Sequence, residues 1–155
     1  MKARPAVPAH DAFDSHPQRL DREQSLELLR SVGVGRAAWA DQDGRVVVVP
    51  VGFTVLEDAV LFRTAEGDKL AAVRRGAHFA FEADEVEPAL RTGWSVLVHG
   101  TPEIVSDSAE HERLGRLLPS PWDRSAPKPY LVLLRIDEVS GRRLPLHPGG
   151  VAFGP

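Results

Sequence analysis

The chain has no cysteine. That single absence excludes disulfides, thiolate catalysis and cysteine zinc sites together, and it suits a reducing compartment. Lysine is scarce as well, three residues against sixteen arginines, so a lysine here is not decoration on a lysine-rich surface. No apolar run approaches the roughly 20 residues needed to span a bilayer. The N-terminal stretch carries Pro5, Pro8 and Pro17 but no apolar segment of the kind a signal peptide needs. Nor is there an excess of positive charge. A net charge of -3 argues against nucleic acid or an anionic membrane as the main partner. These absences imply a soluble cytoplasmic protein.

What is present fits one domain. The chain has 155 residues, 43% of them hydrophobic, enough for a small core that a partner subunit would help to complete. Residues 1–18 read as a flexible tail, residues 19–146 as the folded domain and residues 147–155 as a C-terminal tail. DREQSLELLRSVGVG predicts a helix with Asp21 as cap and Gln24 as capping-box partner, stopped by Gly33 and Gly35. GRAAWA and RVVVVPVGFTVL flank the turn Asp41 to Gly44 and predict a hairpin, with Pro50 marking an edge or bulge. AVLFR, HFAFEAD, WSVLVHGTPEIV and YLVLLRIDEVSGRRL supply further strands. KLAAVRR and DSAEHERLGRLL supply two more helices, EVEPALRTG a polar loop and PSPWDRSAPKP a proline-rich one. The pattern is mainly β with short helices: six to seven antiparallel strands in a closed or partly closed barrel.

Several letter patterns dissolve on inspection. Gly33-Val34-Gly35-Arg36-Ala37-Ala38 spells a dinucleotide fingerprint, but the helix precedes it and the strand follows, the reverse of what that turn requires. Gly93-Trp94-Ser95-Val96 fails as a nucleophile elbow at Leu97, where glycine is needed. The six histidines are dispersed without an i, i+4 pair, which points to no metal site. Glu82 and Asp84 receive no assignment from spacing alone.

FRTAEGDKL is different. A strand ends at Arg63-Thr64 and a helix begins near Asp68-Lys69, so a guanidinium, a hydroxyl, an ammonium and helix-start amides converge. Two readings compete here, a phosphate cradle and a capped turn with surface charges. The segment DRSAPKP reads as solvated. Among Trp39, Trp94 and Trp122, Trp94 is the best ligand wall, because it opens a strand just after a glycine-ended loop.

The order of helix, VVVVPVGF hairpin, FRTAEGDKL, HFAFEAD and GWSVLVHGTPEIV resembles the pyridoxamine 5'-phosphate oxidase-like, FMN-binding split β-barrel proteins. It looks closest to the short actinobacterial-type members grouped with nitroimidazole-reductase-like proteins, over about Leu20 to Leu144. The resemblance implies FMN at a homodimer interface. Its phosphate would meet Arg63, Thr64, Asp68, Lys69 and Leu70. Its isoalloxazine would lie along Pro50, Val51, Gly52 and Phe53, with Trp94 and Ser95 in contact. The chemistry would be the flavin's, hydride or electron transfer to a small organic molecule, and no catalytic side chain is assigned. F420 is the alternative cofactor implied, and a non-catalytic flavin, F420 or haem-binding or sensing module the alternative function. The ending GRRLPLHPGGVAFGP lacks the family namesake's substrate-phosphate motif, which argues against vitamin B6 oxidation.

Overall fold

The structure, a computed structural model, describes residues 18–120 and 127–144. The expected C-terminal tail, most of the N-terminal one, and Trp122 in the loop before the last strands lie outside the described residues. In chain order the elements are β1 (Gln18–Leu20), α1 (Arg22–Arg30), β2 (Val34–Ala40), β3 (Val46–Val55), β4 (Ala59–Thr64), α2 (Asp68–Arg74), β5 (Phe79–Glu87), β6 (Thr92–Gly100), β7 (Pro102–Ile104), α3 (Ser108–Gly115), β8 (Tyr130–Arg135) and β9 (Glu138–Leu144). The nine strands hydrogen-bond in the order β1-β9-β6-β5-β2-β3-β4-β8-β7, and every pairing is antiparallel. The sheet curls into a half-barrel, so that Trp39 of β2, Phe62 of β4, Phe81 of β5, Val96 of β6 and Leu134 of β8 share one core. Among the described residues, no helix is long and apolar enough to cross a membrane.

Local chemistry explains the elements. Asp21 accepts the Gln24 amide at 2.8 Å while the Gln24 side chain accepts the Asp21 amide at 3.1 Å, a complete capping box that starts α1. The β2–β3 turn is closed by Asp41, whose carboxylate accepts the amides of Asp43 and Arg45, and Gly44 takes the positive φ of 79° there. Aromatic contacts knit the core: Trp39 stacks on Phe79, and Phe53 meets Phe81 edge-on at 4.7 Å. A second apolar cluster, Leu61, Leu114 and Leu131, lies beneath α3.

Four expectations change. Among the described residues strands number nine and not six to seven, because β1 and β7 are three-residue strands that exist only by pairing with distant β9 and β8. Gln18, placed in the flexible tail, belongs to β1. Gly35 does not stop α1, which ends at Arg30; it sits within β2, where a Cβ would run into the Phe81 ring. Its role is close approach. Glu85, Val86 and Glu87, read as loop, extend β5 and pair with Trp94, Gly93 and Thr92, since the neighbouring strand supplies a ladder that composition does not reveal.

Two expectations hold with a clearer reason. Residues 46–52 of β3 pair with β2, whereas Phe53 to Val55 pair with β4, so Pro50 has no ladder partner on its second side among the described residues. The bend at Gly100 is a change of partner. A Cβ there would collide with the Arg135 carbonyl, and glycine lets β6 cross the end of β8 before β7 turns back along it.

Candidate functional site

The end of β4 delivers Arg63 and Thr64 to the start of α2, which delivers Lys69. Thr64 is buried, and its hydroxyl makes only a long 3.3 Å bond to the Ala65 carbonyl. Arg63 donates to the carbonyl of Gly115, so one of its amino groups ties β4 to the C-terminal end of α3. Gly67 caps α2 without a side-chain bond, and Leu70 is fully buried, anchoring the helix in the core. Asp68 is exposed.

Lys69 is half-buried. Burial, and then the ammonium of Lys128, holds it below the usual lysine range. Its Nζ lies 5.8 Å from the Phe62 ring centroid. Among the described residues it makes no ion pair. The adjacent carboxylate, Asp68, is exposed and forms no ion pair among the described residues, and Glu66 on the loop before α2 is engaged elsewhere. Arg74 holds it at 3.1 and 3.2 Å, and the Tyr130 hydroxyl donates to it at 2.7 Å. These bonds keep Glu66 below the ordinary carboxylate range, Arg74 contributing most. The loop thus sorts its charges, pairing Glu66 with Arg74 and not with Lys69.

Of the three lysines, Lys128 is near enough for its charge to act on Lys69. Lys128 falls in a segment that reads as solvated from sequence, and only the β4–β8 pairing, which sets Tyr130 opposite Thr64, brings it here.

The remaining candidates divide by face. Within Pro50 to Phe53 the pleat splits the set: Val51 and Phe53 are buried, while Pro50 and Gly52 face out. Phe53 pairs with Phe62, so this stretch neighbours the Arg63 end of β4. Trp94 is buried in the main core, which leaves little of its indole to form a ligand wall. Ser95 is half-buried on the outer face opposite Asp84, three strands from β3.

That outer face also holds groups that spacing left unassigned. Arg36, paired across from Pro50 and Glu82, reaches Asp84 at 3.3 Å and Glu82 at 3.6 Å. Burial, and then the hydrogen bond and charge of Asp84, pushes Glu82 up to about 7 against the opposing pull of Arg36. Around this cluster Val46 and Val48 are 73% and 59% exposed, and Leu97 is exposed too, an apolar surface on an otherwise packed sheet. His78 and His99 meet at its margin through ring nitrogens 3.1 Å apart. Among the described residues no three metal-ligating side chains converge.

A family model described as pyridoxamine 5'-phosphate oxidase matches residues 21–143. An uncharacterized protein of Mycobacterium tuberculosis, Rv0080, is 35% identical over 130 residues, which cover 81% of this chain and 84% of that protein. The FAD binding protein of Mycobacterium smegmatis is similar in structure at 31% identity, with a TM-score of 0.67 over 82% of this chain and 98% of that one. A FAD-binding protein of Mesorhizobium loti is similar at 25% identity and a TM-score of 0.70, over 83% of this chain and 96% of that one.

Proposed function

Because this chain belongs to the pyridoxamine 5'-phosphate oxidase family, we propose that it is a flavin-dependent oxidoreductase of a small organic molecule, with FMN seated between two copies in the cytoplasm. The observation that carries the reading is Lys69: half-buried at the start of the helix that follows Thr64, within reach of the charge of a second lysine, and with no ion pair among the described residues. Such a group costs free energy unless an anion joins it. The phosphate of a flavin nucleotide fits that chemistry, and the names of the two FAD-binding relatives point to the same cofactor class.

In this reading Arg63, Thr64 and Lys69 hold the phosphate, with Asp68 and Leu70 supporting the helix start that presents them. The exposed Pro50 and Gly52 offer the ring a flat strand surface beside the seat, with Val51 and Phe53 stiffening that strand from within. Ser95 lies three strand spacings from β3, about 14 Å at roughly 4.8 Å each, so one copy's Ser95 reaches a ring on the other copy's Pro50 more readily than on its own. The exposed valines of β3 give that second copy an apolar surface to cover. When bound, the flavin supplies hydride or electron transfer. The chain's part is to bind, orient and shield it.

A binding module without turnover is the second reading. It draws on the relatives, which are named for the flavin they bind and not for a reaction. The test is turnover of nitroaromatics, quinones and pyridoxamine phosphate with NAD(P)H or reduced F420 as donor. Reduction of a neutral aromatic with little action on pyridoxamine phosphate supports the oxidoreductase. Efficient pyridoxamine phosphate oxidation overturns the choice of substrate, and inactivity on all of them with flavin bound favours the module.

A further inference from the structure

We propose that Lys128 is a further phosphate-binding residue, which meets the same anion as Lys69 from the far side of the β4–β8 ladder. The inference rests on the flavin-phosphate reading above and adds to it a ligand from a separate part of the chain.

Three observations on position lead there. Tyr130 pairs directly with Thr64, so the residues just before Tyr130 run past the point where β4 ends and the chain turns into α2. That approach is pinned, because the His111 ring nitrogen of α3 donates to the Pro129 carbonyl at 2.8 Å. Arg63 is fastened to the same helix through Gly115. Lys128 therefore enters beside the seat on a segment held at its neighbouring residue.

Charge makes the arrangement hard to explain as packing. Two ammonium groups brought together repel, and Lys128 is the charge that disfavours ionised Lys69 after burial itself. A structural lysine pair ordinarily has a carboxylate between its members. Here Glu66 is drawn away by Arg74 and Tyr130, and the ion pairs of the described residues include neither lysine. In a chain with only three lysines, placing two of them here with no ion pair among the described residues suits a ligand that brings the negative charge with it. A phosphate ester bridging the two ammonium groups would favour the ionised form of Lys69 against burial and the charge of Lys128. Lys128 is exposed where Lys69 is half-buried, so its reach is the adjustable one, suited to closing on the phosphate after the flavin has docked.

The experiment titrates riboflavin, FMN and FAD into the full-length protein and its Lys128→Ala and Lys128→Arg variants at low ionic strength, read by flavin fluorescence. Lys128→Ala should weaken FMN and FAD by about tenfold and leave riboflavin unchanged, with Lys128→Arg close to the parent. Unchanged FMN and FAD binding in Lys128→Ala overturns the proposal, as does an equal loss for riboflavin. Should the parent bind no flavin, inorganic pyrophosphate becomes the probe, followed by thermal unfolding. Pyrophosphate protection that Lys128→Ala abolishes keeps the two-lysine seat and defeats the flavin reading alone. No protection of the parent defeats both.

Discussion

Tyr130 donates its hydroxyl to Glu66 at 2.7 Å and, with Arg74, engages that carboxylate, which makes no ion pair with Lys69 at the start of α2. The contact spans the β8 strand and the loop before α2, and its effect is electrostatic: it keeps Glu66 from serving Lys69 as a counter-ion. Tyr130→Phe frees one of the two restraints on Glu66. FMN binding should weaken by about two- to five-fold, the range of an exposed charge interaction, and Tyr130→Phe combined with Glu66→Gln should recover the parent affinity. Fluorescence titration of both variants checks this, and a double variant no better than the single one would contradict it.

Stability should fall as pH rises toward neutrality, in part through Glu82. Its carboxyl is raised from an ordinary value of 4.5 to about 7 by burial and by Asp84. The folded state therefore binds a proton that the unfolded chain has lost, so this stabilisation is full below about 4.5 and disappears as pH passes about 7. Partial exposure of the side chain softens the effect. Urea unfolding at pH 5 and pH 8 should show a smaller drop in Glu82→Gln than in the parent. An equal drop in both would place the pH dependence elsewhere.

Gly100→Ala should be among the most damaging single changes outside the core. Its Cβ meets the Arg135 carbonyl, a backbone atom fixed within the β4–β8 pairing, and has the Leu134 side chain 3.2 Å away. A loss of more than about 2 kcal/mol is expected from overpacking against backbone. Gly33→Ala has nothing within 4 Å of the added methyl and serves as the mild control. Equal unfolding midpoints for the two variants would refute the close approach.

The outer sheet face should carry the second copy. Val48→Asp puts a charge at a position 59% exposed in the single chain, so the monomer fold should tolerate it. Light scattering at micromolar concentration should show a dimer for the parent and a monomer for the variant, with flavin retention falling alongside. A dimeric Val48→Asp protein would move the interface to another surface.

Local signals in the sequence were legible where short-range chemistry decides the structure. The Asp21 cap with Gln24, the Asp41–Gly44 turn and the edge position of Pro50 each depend on neighbours within a few residues or on what proline cannot donate. Gly35 misled because one letter serves two purposes, freedom of φ and absence of a Cβ, and only the partner strand reveals which is in use. The three-residue strands and the polar end of β5 were hidden for a related reason, since their ladders are supplied by distant chain. The same holds at the site. Arg63, Thr64 and Lys69 lie close enough in sequence to be read as one candidate seat, whereas Lys128 and the Arg36–Glu82–Asp84 cluster are assembled by register. Trp94 was conspicuous as a large aromatic near a glycine, yet strand parity turned it into the core.

The central claim is that a flavin phosphate sits against Lys69, and one titration tests it most directly. FMN and riboflavin are added in parallel to the parent protein and to Lys69→Ala, with far-ultraviolet circular dichroism confirming that the variant is folded. The account predicts that the parent prefers FMN to riboflavin, and that Lys69→Ala weakens FMN by about tenfold or more while leaving riboflavin unchanged. Equal FMN affinity in the two proteins, or a parent that binds riboflavin as tightly as FMN, would contradict it.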